Sequence, residues 1–481
     1  MTHAGVREAL KPCGSRRSGG LRRGVTFAAF GLAATLVVAG CDGGGGSRES
    51  YGASSLPSSL PQPTRARLEA AGLGDLPVAR ASERVDIATP TFSSPTEITN
   101  PLFPISDLRS AILSGRVDAK PFHTETTLLP ETRLIEWTQN ETVETRVSQY
   151  IAYLDGRIQE AALDFYAQAD DGSVWYFGEE VHEYRDGSVF STEGTWLAGR
   201  DGPPAMIMPD VPRIGDVHRP ENIPAVAFEE VEIKTVAKTV AGPTGPVEGA
   251  IVGRELHDDG SYSDKIFAPG YGEFYSAHEG DVEAMALGVP ADSTEEPEPS
   301  ELDALSLTSE RLFHSSQRRE WRRARLDAKR ARIIWESYKQ QAVSRWLMRE
   351  GNRAIEALVT SVRSRDQAKA GTAAIDVAQT ALDLKLRYRK PLAIDLGRAA
   401  LWGRQVVVDA RDGDLEAVTG DGAVLDWIRG RVEHGLSAVD TTRVDAALLV
   451  LGESIADQDL QTARKAGARL INTFEKSHPA S

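Results

Sequence analysis

Residues 143–169 read VETRVSQYIAYLDGRIQEAALDFYAQA. Two runs rich in alternating, β-branched and aromatic residues, Val143 to Leu154 and Arg157 to Ala169, flank the dipeptide Asp155-Gly156. Asp-Gly between such runs is the strongest short hairpin signal, because glycine accepts the positive φ that a tight primed turn requires. The signal recurs at Asp171-Gly172, Asp186-Gly187 and Asp259-Gly260. Val174 to Phe177 and Val181 to Tyr184 follow the second turn, and Val247 to Leu256 with Tyr262 to Ala268 bracket the last. Glu273 to Ala277 and Val282 to Leu287 read as two further strands. With no useful helical period between them, residues 86–289 are expected to form an antiparallel β-meander of about ten strands, curled into a half-barrel or closed into a barrel to cover its edges.

Pro203, Pro204, Pro209, Pro212, Pro220 and Pro224 crowd one piece of this region, which is expected to be a long ordered loop rather than a central strand. Thr99-Asn100-Pro101-Leu102-Phe103-Pro104, Trp175-Tyr176-Phe177-Gly178-Glu179, Met206-Ile207-Met208-Pro209 and Phe267-Ala268-Pro269-Gly270-Tyr271-Gly272 resemble a bacterial extracytoplasmic β-domain family of no established function. The resemblance spans about residues 95–290, implies a domain and lends no activity; residues 105–119 are an insertion relative to it. Trp175, Tyr176, Phe177, Tyr184 and Trp196 are candidates to line an apolar ligand site on a concave sheet, the other reading being ordinary aromatic core. Met206, Met208 and His218 offer soft donors suited to copper, against a reading as loop residues that plug the core.

Residues 290–303 are acidic and broken by proline, a linker by composition. Beyond them the apolar period changes from two to 3.6, and residues 304–476 read as helical, with a short tail at 477–481. Glu320, Asp366, Asp414 and Asp459 recur at intervals of 46, 48 and 45 residues, each after a polar break and each followed by small or apolar residues four and eleven positions on. A carboxylate at that place caps the first turn of a helix and complements its dipole. Four helical hairpins stacked into an all-α repeat bundle are therefore expected, giving an α+β chain in two segregated domains. Trp321, Ala324, Ala328, Ala331, Trp335, Tyr338, Ala342 and Trp346 form a core-facing seam at helical spacing. The eight basic residues of 318–332 occupy the remaining faces, solvated, docked on the acidic β-domain or set against anionic lipid. Asp409, Asp412, Asp414 and Glu416 hint at calcium but lack the glycine spacing of an EF-hand loop.

At the other end, Arg16, Arg17, Arg22 and Arg23 precede an apolar run from Val25 to Gly40, shorter than the roughly 20 residues of a membrane span. Val38-Ala39-Gly40-Cys41 resembles the lipobox of bacterial lipoproteins. That resemblance implies a signal peptide at 1–40, removal before Cys41, a fatty-acylated Cys41 and display on the outer face of the cell membrane. Residues 41–85, rich at first in Gly, Ser and Pro, are expected to be a tether. The remaining cysteine, Cys13, lies in the part removed, so disulfides, thiolate metal clusters and cysteine nucleophiles are excluded from the mature chain. A net charge of -15 argues against nucleic acid as a partner. Phosphate-binding glycine loops, His-Glu-x-x-His and Gly-x-Ser-x-Gly are missing, and His182-Glu183, His257-Asp258 and His278-Glu279 are adjacent pairs that a strand sends to opposite faces. No cofactor, catalytic residue or resident metal follows from these residues. The expectation is a non-enzymatic envelope lipoprotein whose helical half binds a protein partner. The alternative is a carrier or sensor of an apolar or lipid ligand in the β-domain, with a metal-dependent enzyme or copper protein behind both.

Overall fold

The structure, a computed structural model, describes residues 62–341 and 343–477. The lipobox, Cys41, the seam residue Ala342 and most of the tail lie outside the described residues. From Gln62 the chain is already laid on the β-domain. Helix α1 (Arg65–Ala70) and the turn after it bury Leu68 and Leu73 against Phe228, so the stretch expected as tether up to residue 85 is packed from here on. Among the described residues no helix is long and apolar enough to cross a membrane.

Fourteen strands form one antiparallel sheet: β1 (Ser110–Val117), β2 (Lys120–Thr138), β3 (Glu141–Leu154), β4 (Arg157–Gln168), β5 (Val174–Arg185), β6 (Ser188–Ser191), β7 (Trp196–Leu197), β8 (Ala205–Met208), β9 (Val217–Ile223), β10 (Ala227–Ala241), β11 (Pro246–His257), β12 (Tyr262–Ala268), β13 (Gly272–His278) and β14 (Asp281–Val289). The path runs from β6 through β5 back to β1, crosses to β14 and descends to β9. β8 pairs with β5 and lies against β9, so the sheet curls back on itself into a barrel. Asp155 and Gly156 both take positive φ, as do Asp186 and Gly187, the backbone that a primed hairpin demands.

Three differences from the sequence reading have plain causes. The proline-rich piece contains β8 and β9 rather than only loop. Pro220 is tolerated because β9 ends the hydrogen-bonded path and its pairing with β10 shifts register opposite Pro220, between Glu229 and Val231. Val174 to Tyr184 is one strand, not two, bent at Gly178, whose φ is 126°. A side chain there would meet the carbonyl of Trp196. Residues 105–119, read from the sequence as an insertion ahead of the first strand, supply β1, which joins the two halves of the sheet.

Helices α2 (Ser300–Gln317) to α9 (Leu460–Lys476) follow. Between them lie α3 (Trp321–Tyr338), α4 (Arg345–Ser364), α5 (Gln367–Lys385), α6 (Pro391–Asp412), α7 (Leu415–Val432) and α8 (Ala438–Ala456). Glu320, Asp366, Asp414 and Asp459 are the N-caps of α3, α5, α7 and α9. Asp366, Asp414 and Asp459 accept backbone N–H groups of the first turn, whereas Glu320, one methylene longer, does not. The hairpins are thus α2–α3, α4–α5, α6–α7 and α8–α9. Ala324, Ala328, Ala331, Trp335 and Tyr338 are buried as the seam requires, while Trp346 belongs to α4 because α3 ends at Tyr338. The arginines of α3 are exposed to solvent rather than docked on the barrel.

Sheet and helices share their apolar interior. One cluster joins Ile112, Ala286, Leu287 and Val289 of the sheet to α2–α6, and another joins Ile151, Tyr153, Ile158, Ala161 and Tyr184 to α6–α9. The acidic connection is held as well: Glu298 pairs with Lys385 and Arg389, and the Thr294 N–H donates to the Arg387 carbonyl. Lost contact with water on both surfaces, at about 25 cal/mol per Å² of apolar area, holds the halves together.

Candidate functional site

β2 alternates, so His123 and Glu125, two residues apart, both leave its outer face toward the helices. Glu125 Oε2 accepts from Arg431 Nη1 at 2.6 Å, and Arg398 Nε lies 3.3 Å from Oε1. Arg398 also donates to Asp383 at 2.8 Å and to Asp395 at 3.1 Å. The side chains of Arg431 and Arg398 are 0% and 1% exposed. Burial opposes the charge on Glu125, but Arg398 and Arg431 outweigh it and hold its carboxyl well below the usual range. His123 sits between Glu125, 3.8 Å from Nε2, and Glu350 of α4, 3.7 Å from Nδ1. Burial again opposes charge, and Glu125 and Glu350 overcome it, raising His123 to about 10.

His123, Glu125, Glu350 and Asp383 form part of the wall of a cavity of about 410 Å³ between the β2–β4 region and α4, α5 and α6, with Arg398 and Arg431 behind it. Tyr153 stacks on Trp402 at 5.5 Å, and both line it. Asp376 of α5 reaches water within this cavity yet is walled in by protein, which raises its carboxyl to about 6 against the pull of Arg353 and Arg157. The wall thus offers an aromatic face, acids (Glu350, Asp376), guanidinium groups (Arg353, Arg157) and neutral polar groups (Thr372, Gln379, Gln405). Such a mixture is chemically able to orient a small polar molecule.

The barrel interior is chemically different. Two cavities of about 10 and 40 Å³ lie there, lined in part by Glu221, Glu229, Glu255 and Lys265 and by Tyr150, Glu273 and Glu283. Lys265 Nζ lies 3.1 Å from Glu255, and His257 Nδ1 lies 3.2 Å from Glu229. Among the described residues no cation forms an ion pair with Glu160, Asp164, Glu179 or Glu221, although Lys265 pulls on Glu221 across the cavity they share. Burial raises all four acids, Asp164 to about 7 despite the hydrogen bond from Tyr176. Glu255 and Glu283 are likewise raised to about 7 and Glu273 to about 8, chiefly by burial.

The five aromatic candidates do not share one surface. Tyr176 stacks on Tyr166 at 4.8 Å and meets Trp196 edge-on, and Phe177 meets Trp137 edge-on. Trp175 belongs to the same packed cluster, whereas Tyr184 lies on the helix side, accepting from Trp427 Nε1 at 2.8 Å. Met206 and Met208 point to the side of β8 opposite Ile207, and it is Ile207 that shares a cavity with His218. Burial lowers His218 to about 4. Asp409 takes a hydrogen bond from Arg157 at 2.6 Å, Asp414 caps α7, and Asp412 and Glu416 are exposed, so the four acids do not converge on one point. Sequence reasoning passed over His123, Glu125, Arg398 and Arg431. The usable signal was His-x-Glu on a strand, which places both side chains on one face. No protein-family model matches the chain, and no curated protein matches it.

Proposed function

We propose that this is a membrane-tethered ligand-binding protein of the bacterial envelope, non-enzymatic, in which sheet and helical repeat together hold a small zwitterionic molecule. The observation that carries this reading is the cavity of about 410 Å³ at their junction, where Glu350 and Asp376 stand beside Arg353 and Arg157 under the Tyr153–Trp402 pair. Its size suits an amino-acid-sized ligand. A lipid or other large apolar guest is disfavoured, since the barrel interior holds carboxyls and its described cavities of about 10 and 40 Å³ are far too small for one. A detached helical platform is disfavoured too, because the apolar faces of the helices are used on the sheet and on each other.

Trp402 in the wall makes the reading testable by fluorescence. Titration of a panel of zwitterionic amino acids into the full chain in detergent is expected to change the tryptophan emission saturably for at least one compound, a change that Trp402→Phe removes. Asp376→Asn is expected to weaken that binding by about tenfold, the loss of roughly one charge-assisted contact. No saturable response across the panel, and no small molecule retained in native mass spectrometry, would refute the pocket. The tether is tested separately. Cys41→Ser is expected to abolish lipid labelling and release the protein from the membrane fraction, and unchanged fractionation would remove the anchor from this account.

A further inference from the structure

The cavity wall contains a second arrangement that ligand binding alone does not require. His123 of β2, Glu350 of α4 and Asp383 of α5 come from three separate elements, yet one ligand atom of each lies within 4.8 Å of the other two. All three side chains line the cavity, so an ion has a path in and would keep an open side. Asp383 is already braced on its outer side, and His123 has a carboxylate behind its far nitrogen. Asp383 Oδ1 accepts from Arg398 Nη2 at 2.8 Å and from Gln379 Nε2 at 2.9 Å. With Nδ1 turned to Glu350, the other ring nitrogen of His123, Nε2, is buried, has no hydrogen-bond partner and faces Glu125 at 3.8 Å. A carboxylate behind the far nitrogen of a histidine is the usual brace of a metal-bound imidazole, fixing its tautomer and raising its basicity. Glu125 is itself held by Arg431.

Charge balance points the same way. With His123 neutral, as a metal-bound imidazole must be, Glu125, Glu350, Asp383 and Asp395 face only Arg398 and Arg431 at this end of the wall, which leaves two negative charges uncancelled. Asp376 and Arg353, farther along the wall, offset one another. One divalent cation removes the surplus.

We propose that His123 Nδ1, Glu350 and Asp383 bind a divalent transition metal ion of the Zn²⁺ or Mn²⁺ class. One imidazole with two carboxylates suits those ions, whereas calcium and magnesium favour all-oxygen sites. The inference rests on the cavity being a binding site, since the open coordination positions face it and take water or a donor atom of the ligand.

The test uses the full chain in detergent, stripped with chelator, dialysed against Zn²⁺ or Mn²⁺, and assayed by elemental mass spectrometry and, for Mn²⁺, by the loss of the free-ion electron paramagnetic resonance signal. About one bound ion per chain is expected, with occupancy at a fixed free-metal concentration falling at least about tenfold in Glu350→Gln and in His123→Gln. Glu350 is the less buried of the two carboxylates and lacks the Arg398 contact, so Glu350→Gln is the variant expected to stay folded, checked by cooperative thermal unfolding. No metal uptake by the stripped chain, or full uptake by folded Glu350→Gln and His123→Gln, overturns the proposal. Zwitterion binding by a stripped chain that takes up no metal overturns the metal and leaves the cavity reading standing. Metal uptake with no zwitterion response supports the metal and counts against the ligand.

Discussion

Arg431→Met is expected to destabilise the protein by about 3–5 kcal/mol, the loss seen when one partner of a buried ion pair is removed. Arg431 is fully enclosed, donates to Glu125 at 2.6 Å, lies 3.5 Å from Asp395 and also bonds Gln149 on β3. Without it, Glu125 keeps Arg398, which must also serve Asp383 and Asp395, and the longer contacts of His123 and Gln379. The effect is not local to one element. Glu125 and Gln149 belong to the sheet and Arg431 to α7, so the missing guanidinium leaves buried polar groups unpaired on both sides of the junction. Chemical denaturation of wild type and variant measures the difference. Glu125→Gln added to Arg431→Met should recover a sizeable part of the loss by removing the orphaned charge. A change under about 1 kcal/mol for Arg431→Met would mean that water or Arg398 satisfies Glu125, and the ionic cluster would then have no part in joining the two halves.

The second large effect is with pH. Asp164, Glu255 and Glu283 are raised to about 7 and Glu273 to about 8 by burial, and Glu160, Glu179 and Glu221 are pushed up as well. An unfolded chain loses these protons near pH 4 to 4.5, whereas the folded barrel keeps them to pH 7 or 8. Between those limits the native state holds more protons than the unfolded one, so stability falls as pH rises. His123, raised to about 10 by Glu125 and Glu350 against its burial, contributes in the same direction above its unfolded value near 6.5. Glu229, lowered to about 2 by Lys265 and His257 despite burial, acts oppositely, but its contribution is lost only as pH drops below its unfolded value. Each net proton retained amounts to about 1.4 kcal/mol per pH unit. Unfolding free energy measured in chelator is therefore expected to peak near pH 5 and to fall by several kcal/mol by pH 8, with Glu221→Gln flattening the slope. Stability that rises from pH 5 to 8 would show the interior acids ionised and otherwise compensated.

The β half was legible because its signals are local. Asp155-Gly156 and Asp259-Gly260 fix turns by the φ values they permit, and the strand from Tyr262 to Ala268 begins and ends where the alternation does. The repeat was legible for a similar reason. Asp366, Asp414 and Asp459 act on backbone N–H groups two or three residues away, and such short-range chemistry leaves a periodic trace. Gly178, the edge-strand prolines and the β1 insertion were harder, since each depends on which strand lies alongside.

The amino-acid order alone determined an antiparallel β half followed by four helical hairpins, three of them with a capping aspartate, because turns, strand alternation and helix caps are settled within a few residues. The tertiary structure decided that the halves share one interior, that Glu125 meets Arg431 across 306 positions of chain, and that His123, Glu350 and Asp383 converge on one cavity. Such meetings depend on how a curled sheet and a stack of hairpins pack. No residue carries a local mark of a partner that folding brings to it from the other half of the molecule.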